Sequence, residues 1–260
     1  MILKTEKIIK EWTDYNNHLN VAYYVRVFDI AADIMLDNFM FGNKVSFKKA
    51  KIPSKKNLNG KYAVLEPLNI NKHSKDLYAN FLKDKKNRIW NYLPYGPFKS
   101  YGSFKKWLKS FCLSKDPFFY AIYAKRYGQY CGMASYLRIT PDHGTIEVGH
   151  INYSPILQNT VEGTEAMYLM MKNAFEVLGN RRYEWKCNNL NTASKNAAKR
   201  LGFKFEGVFR QMLVFKGRNR DSAWFSIIDK EWKKLKNGYL RYLKLSNFDK
   251  NYKQLKKLKI

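Results

Sequence analysis

Between residues 145 and 205 the chain alternates between two hydrophobic periods, and this restricts the possible folds more than any other feature. Residues 145–154 read as a strand. In 160–178 Met167, Met170, Met171, Ala174, Phe175 and Leu178 recur at the spacing of an amphipathic helix, which Gly179 stops. Residues 182–187 read as a second strand. Asn191 then starts a helix by offering its side chain to orphan backbone N–H groups, Ala193, Ala197 and Leu201 share one face, and Gly202 ends it. Phe203 and Phe205 alternate with Lys204 as a third strand. A strand, helix, strand succession of this length requires a crossover, so the sheet contains a parallel pair. Upstream, 118–124, 129–139 and 145–154 are strands joined by the turn signals Tyr127-Gly128 and Pro141-Asp142-His143-Gly144, an antiparallel meander. The expected class is therefore α/β (α+β) with a mixed, mostly antiparallel central sheet flanked by helices.

The rest of the chain extends this plan. Residues 62–68 read as an earlier strand, and 77–90 and 104–111 as helices around an aromatic segment, 91–103. Residues 210–215 and 223–228 read as late strands with a turn at 217–221. A lysine-rich stretch, 46–59, interrupted by Pro53, reads as a linker; it separates residues 1–45 from a domain at 60–232, which a basic tail, 233–260, follows. The tail begins with helical character and is expected to fray. At 260 residues with 45% hydrophobic and 16% aromatic content, a packed core is affordable. The formal net charge of +27 favours anionic partners such as phosphorylated cofactors, ribosomes or RNA. Cys112, Cys131 and Cys187 are odd in number and far apart, which points to neither a disulfide framework nor a metal site. With no apolar run of membrane-spanning length and no signal sequence, a cytoplasmic location is expected.

Two segments carry the chemistry. Residues 158–163, QNTVEG, lie between a strand and the Met-rich helix, where backbone N–H groups and peptide dipoles at the helix start bind anions. Residues 191–207, NTASKNAAKRLGFKFEG, resemble the last cofactor-binding motif of the GNAT superfamily of acyl-CoA N-acyltransferases. Leu65 to Leu68, Asn91 to Pro97, IEVGH at 146–150 and YEWKCN at 183–188 together resemble its ribosomal-protein N-acetyltransferase-like branch, over about 59–232. The resemblance implies the GNAT fold, acetyl-CoA as acyl donor, no metal, and direct attack by a primary amine of a protein N-terminus or small molecule. It places cofactor contacts at Gln158, Asn159, Thr160, Val161, Glu162, Gly163 and Thr164, and at Asn191 and Ser194. Val161 stands where the family usually has a glycine; a β-branched residue resists φ > 0, so weaker pyrophosphate binding is expected. By the same resemblance Ser194 protonates the departing thiolate. Glu147, beside the gap between two parallel strands, is the candidate base, with Glu184 and His150 behind it. Leu213 occupies a position where related enzymes have a glutamate, and Cys187 reads as packed. Residues 91–103 are expected to form the acceptor wall.

The amino-terminal EWTDYNNHLN, 11–20, precedes a helix whose face carries Val21, Tyr24, Val25, Phe28, Ala32, Met35, Leu36 and Phe39. It resembles the start of a hotdog-fold acyl-CoA thioesterase, in which Asp14 would act on the thioester and His18 would shape the loop. A strand and one helix cannot build that fold, so a remnant that docks or self-associates is expected. Two alternatives to acetyl transfer follow: thioester hydrolysis dependent on Asp14, and a non-catalytic module that binds ribosome or RNA.

Overall fold

Long buried runs along 118–124 and 129–140 and a strictly alternating strand at 182–188 are assembled into a single sheet. The computed structural model describes residues 7, 21–35 and 46–260. The chain divides into two units, Met1–Lys48 and Lys49–Ile260. In the first, the expected helix is present as α1 (Val21–Met35). The strand expected before it, and Asp14 and His18, lie outside the described residues.

The second unit contains β1 (Leu58–Asn59), β2 (Ala63–Pro67), β3 (Phe118–Ala124), β4 (Gln129–Thr140), β5 (Thr145–Tyr153), β6 (Arg182–Asn188), β7 (Lys204–Phe215) and β8 (Arg218–Ile228). Their order across the sheet is β1-β2-β3-β4-β5-β6-β8-β7. All neighbours are antiparallel except β5 and β6, which the crossover helix α4 (Val161–Lys172) connects. A π-helical turn, Asn173–Val177, prolongs α4. Met167, Met170 and Met171 are buried in the main core, as their spacing predicts.

Strand parity sorts the side chains. On β6, Tyr183, Trp185 and Cys187 enter the core beneath α4 and α5 (Thr192–Arg200), whereas Arg182, Glu184, Lys186 and Asn188 take the other face. Register carries that second set across to Glu147 on β5 and to Trp224 and Ser226 on β8. Helices α2 (Ile70–Phe81) and α3 (Tyr101–Phe111) cover the β3 and β4 half of this face through a second apolar cluster that includes Leu77, Phe81, Phe104, Leu108, Phe119 and Met133. The β5, β6, β8 half is left for polar chemistry.

The structure corrects several expected boundaries. The helix expected at 77–90 starts at Ile70, because Asn69 caps it by accepting from the Lys72 amide. It ends at Phe81; beyond it the Asp84 carboxylate accepts from the Ile89 amide and closes a turn that leads to a short 3-10 helix, Arg88–Trp90. The late strands are longer than expected and meet at Lys216 (φ 49°) and Gly217 (φ 72°), a two-residue turn with both φ positive. The linker is partly structural: the amides of Ala50 and Lys51 donate to the carbonyls of Pro141 and Leu178. The tail does not fray. Helix α6 (Asp229–Tyr242) buries Trp232, Leu235, Tyr239 and Tyr242, and the chain then returns so that Ile260 packs beside Gly202 and Gly238.

One carboxylate fastens the sheet's first strands to α4. Glu165, buried, accepts from the amides of Lys61 (2.8 Å), Tyr62 (2.6 Å) and Ala63 (2.7 Å). Removing it strands buried donors, so Glu165→Ala is expected to cost about 3 kcal/mol in urea unfolding.

Candidate active site

β5 and β6 pair from Thr145↔Arg182 to Val148↔Trp185 and no further, although β5 continues to Tyr153 and β6 to Asn188. A bulge forces them apart. The β4–β5 register shifts between Met133 and Ser135, and His150 on β5 takes a left-handed conformation (φ 49°). Gly149 leaves room there for the Leu137 side chain, whose Cδ2 would lie 2.8 Å from a Cβ at that position. Into the gap opens a cleft of about 1680 Å³, lined by residues of β5, β6, the start of α4, α5 and the β7–β8 hairpin. Peptide groups of β5 beyond the bulge have lost their β6 partners.

Helix α4 begins at one bank. Thr160 caps it, its Oγ1 accepting from the Gly163 amide at 3.0 Å, while Asn159 makes the preceding turn at φ 58°. The Thr164 amide donates to Thr160 O. The amides of Val161 and Glu162, in the first turn, have no intrahelical acceptor and stand at the positive end of the dipole, which suits a pyrophosphate. Gln158, Asn159, Thr160, Val161, Gly163 and Thr164 line the cleft. The side chain of Glu162 does not: it is buried beside a separate small cavity, its two oxygens without hydrogen-bond partners. The expectation for Val161 needs correction. The left-handed residue of this loop is Asn159, and the Val161 side chain, 3% exposed, is part of the core, so it does not hold the backbone away from a ligand. Gly163 serves packing, since a Cβ would meet Leu157 O at 2.8 Å and the Tyr153 ring at 2.9 Å. Arg200 extends the bank by donating to Thr164 Oγ1 (3.3 Å), and the returning C-terminal segment adds Lys253 and Lys257 to the cleft wall.

Helix α5 begins at the other bank. Asn191 caps it, accepting from the Ser194 amide at 3.0 Å, and both residues line the cleft. The Trp185 indole N–H donates to Ser194 Oγ at 3.0 Å. Cys187 is buried nearby, and burial raises its thiol pKa. Glu147 is buried, and its Oε2 meets Arg138 Nη1 (2.5 Å) and Lys186 Nζ (3.0 Å). Its Oε1 carries no hydrogen bond among the described residues and stands 3.5 Å from where a Gly149 Cβ would be, beside the gap. Glu184 is held by Lys186 (2.8 Å) and Arg182 (2.6 Å); burial opposes its charge, but these two cations keep its pKa below the ordinary value. Arg138, Lys186, Trp185, Arg200 and Arg220 escaped sequence reasoning. The period-two pattern of β6 placed Lys186 beside Glu184; the others depend on register or distant loops.

His150 lies among Tyr95, Phe111 and Phe119, and Tyr95 Oη is 2.9 Å from its Nδ1. Burial, with Arg138 as a lesser cause, lowers its pKa to about 4, so it is neutral at pH 7. Of the expected acceptor wall only 91–94 reach the cleft, joined by Arg88 and Ile89; Tyr92 Oη donates to Leu190 O and Lys216 Nζ to Trp90 O, tying the wall to the opposite bank. Leu213 lines the cleft from β7. Among the described residues no group of His, Cys, Asp or Glu side chains is placed to hold a metal ion, and no helix is long and apolar enough to cross a membrane.

A sheet splayed at its parallel pair, with two helix starts facing across the gap, is the architecture of an acyl-CoA-dependent acyltransferase. The model of the GNAT acetyltransferase domain matches residues 63–204, more than half of the chain. A GCN5-related N-acetyltransferase from Brucella melitensis is 41% identical, with a TM-score of 0.80 over 82% of this chain and 96% of that one. A probable acetyltransferase of the GNAT family from Chromobacterium violaceum is 40% identical, with a TM-score of 0.68 over 74% and 95%. The chain belongs to the GNAT acetyltransferase family, whose members transfer acetyl groups from acetyl-CoA. The fold is shared at 19% identity (TM-score 0.55, 67% and 99% of the two chains) with RimL, a ribosomal L7/L12 alpha-N-protein acetyltransferase solved with coenzyme A. No curated protein matches the chain. The family match does not include the amino-terminal segment that resembles a thioesterase.

Two predictions follow from this geometry. Gly163→Ala is expected to cost about 1–3 kcal/mol by overpacking and to weaken acetyl-CoA binding in calorimetry, whereas Val161→Ala costs about 2 kcal/mol of core burial and leaves affinity unchanged. For His150 the unfolded chain takes up its proton near pH 6.5 and the folded chain only near pH 4. Stability is therefore complete above pH 6.5 and declines as pH falls through that window, and His150→Gln is expected to flatten this decline in denaturation at stepped pH.

Proposed function

We propose that this chain transfers an acetyl group from acetyl-CoA to a primary amine by direct attack within the β5–β6 gap. The observation that carries the reading is convergence on that gap of three groups from separate elements: the α4 first-turn amides, Ser194 and Glu147. In this reading the amides of Val161 and Glu162 hold the pyrophosphate, and N–H groups of β5 freed by the bulge hold the thioester carbonyl oxygen. Asn191 borders the pantetheine path. The cations at Glu147 Oε2 fix that carboxylate, and its free Oε1 takes a proton from the acceptor ammonium, directly or through one water. The amine nitrogen then bonds to the carbonyl carbon, the carbon–sulfur bond breaks, and the Ser194 hydroxyl donates a proton to the leaving sulfur while the second proton of the attacking nitrogen returns to the Ser194 oxygen, directly or through one water. Trp185 acts as a positioning residue, because its N–H occupies a lone pair of Ser194 Oγ and leaves the O–H free to turn into the cleft. The acceptor approaches between residues 91–94 and the β7–β8 hairpin.

The test is release of CoA thiol from acetyl-CoA by the full chain over a panel of primary amines. Glu147→Gln is expected to lower kcat about 10²–10⁴-fold with acetyl-CoA affinity retained, and Ser194→Ala to lower kcat about tenfold. Full turnover by Glu147→Gln would assign the proton to another group. Thiol release without any amine would turn the reading towards hydrolysis.

A further inference from the structure

Among the described residues, Arg220 on the polar face beside the gap is a cation that no carboxylate pairs with. Across that face runs an alternating chain: Glu206 to Arg182 (2.5 Å), Arg182 to Glu184 (2.6 Å), Glu184 to Lys186 (2.8 Å), Lys186 to Glu147 (3.0 Å) and Glu147 to Arg138 (2.5 Å). Three carboxylates meet three cations. Arg220 is left over. It lies on β8 and lines the same cleft as Glu147 and Lys186. Its Nε is buried with no hydrogen-bond partner, and among the described residues no carboxylate pairs with its guanidinium. The adjacent Asp221 is engaged elsewhere, accepting from the Gln211 amide and Asn219 Nδ2, and the cross-strand neighbour of Arg220 on β7 is the apolar Leu213. The guanidinium rests over the Phe215 ring at 5.4 Å, which positions it without balancing its charge. Burial lowers its pKa, and the attraction of Glu147, a carboxylate already paired with Arg138 and Lys186, offsets this only in part.

Such a group is costly to fold around unless an anion arrives from outside, and the planar fork of an arginine suits a carboxylate or a phosphate. We infer that the acceptor amine carries a compact anionic group, a carboxylate or phosphate, that Arg220 binds while the amine reaches Glu147. This deepens the acetyl-transfer reading and rests on it. The same charge disfavours polyamines, which would also face Arg88 and Arg138 at a cleft wall whose carboxylates are Asp84 and the paired Glu147.

The full chain, saturated with CoA so that its phosphate-binding bank is filled, is titrated with inorganic phosphate and with acetate while thermal unfolding is followed, alongside Arg220→Gln and Arg220→Lys. Acetyl transfer is then compared within two matched pairs, β-alanine against propylamine and phosphoethanolamine against ethanolamine. The expected result is that the anions stabilise the parent and Arg220→Lys but not Arg220→Gln. In each pair the anionic member is the better acceptor, and Arg220→Gln lowers its kcat/KM about 10–100-fold while leaving the uncharged member unchanged. Equal stabilisation of the parent and Arg220→Gln, or preference for the uncharged members, overturns the inference. If none of the four amines is acetylated, the anion titration decides alone. Failure of acetyl-CoA itself to stabilise the parent overturns the acetyl-transfer reading instead, and is read separately from the anion titration.

Discussion

The forced separation of β5 from β6 is the constraint around which this molecule is organised. Four residues of parallel pairing fix the two strands side by side, and the bulge at Gly149 and His150 then drives them apart. Each strand leads directly into a helix, β5 into α4 and β6 into α5, so both helices begin at the carboxyl end of the parallel pair, where α/β sheets generally place their ligands. The packing serves this separation. Leu137 occupies the space a side chain at 149 would need, the aromatic cluster of Tyr95, Phe111 and Phe119 receives the displaced His150, and Asp116 accepts from the amides of Arg138 and Ile139 on the neighbouring strand. The same departure from regular pairing thus opens the cleft and sets Arg138 against Glu147.

Local signals carried much of this architecture and failed where partners are distant in sequence. The crossover from β5 through α4 to β6, the cap at Asn191, the Met-rich core face and the meander of β3, β4 and β5 all follow from periodicity and turn chemistry within about 20 residues of one another. The start of α2 was obscured because Asn69 is a cap with no capping-box partner, and its end because the turn after Phe81 is closed by a side-chain contact, Asp84 to the Ile89 amide, rather than by a glycine or proline. The backbone premise behind the Val161 expectation does not apply, because the strained position of the loop belongs to Asn159, a residue type that tolerates it, while Val161 enters the helix and the core. Glu147 and Ser194 stand out singly in the sequence, and both line the cleft. The chain of charges from Glu206 to Arg138 was not legible there, because it exists only once β5, β6, β7 and β8 are in register, and no spacing rule within one strand encodes the neighbour on the next.

Helix α4 is held at both of its functional points within two turns. Its first amides face the cleft, and Glu165, about 6 Å further along the axis, grips the amides of residues 61–63 at the far side of the sheet. An anion seated at the helix start therefore restrains the element that also clamps β2. Occupancy of the cleft becomes readable at a remote edge: slower hydrogen exchange at the amides of Lys61, Tyr62 and Ala63 would report a ligand that never touches them.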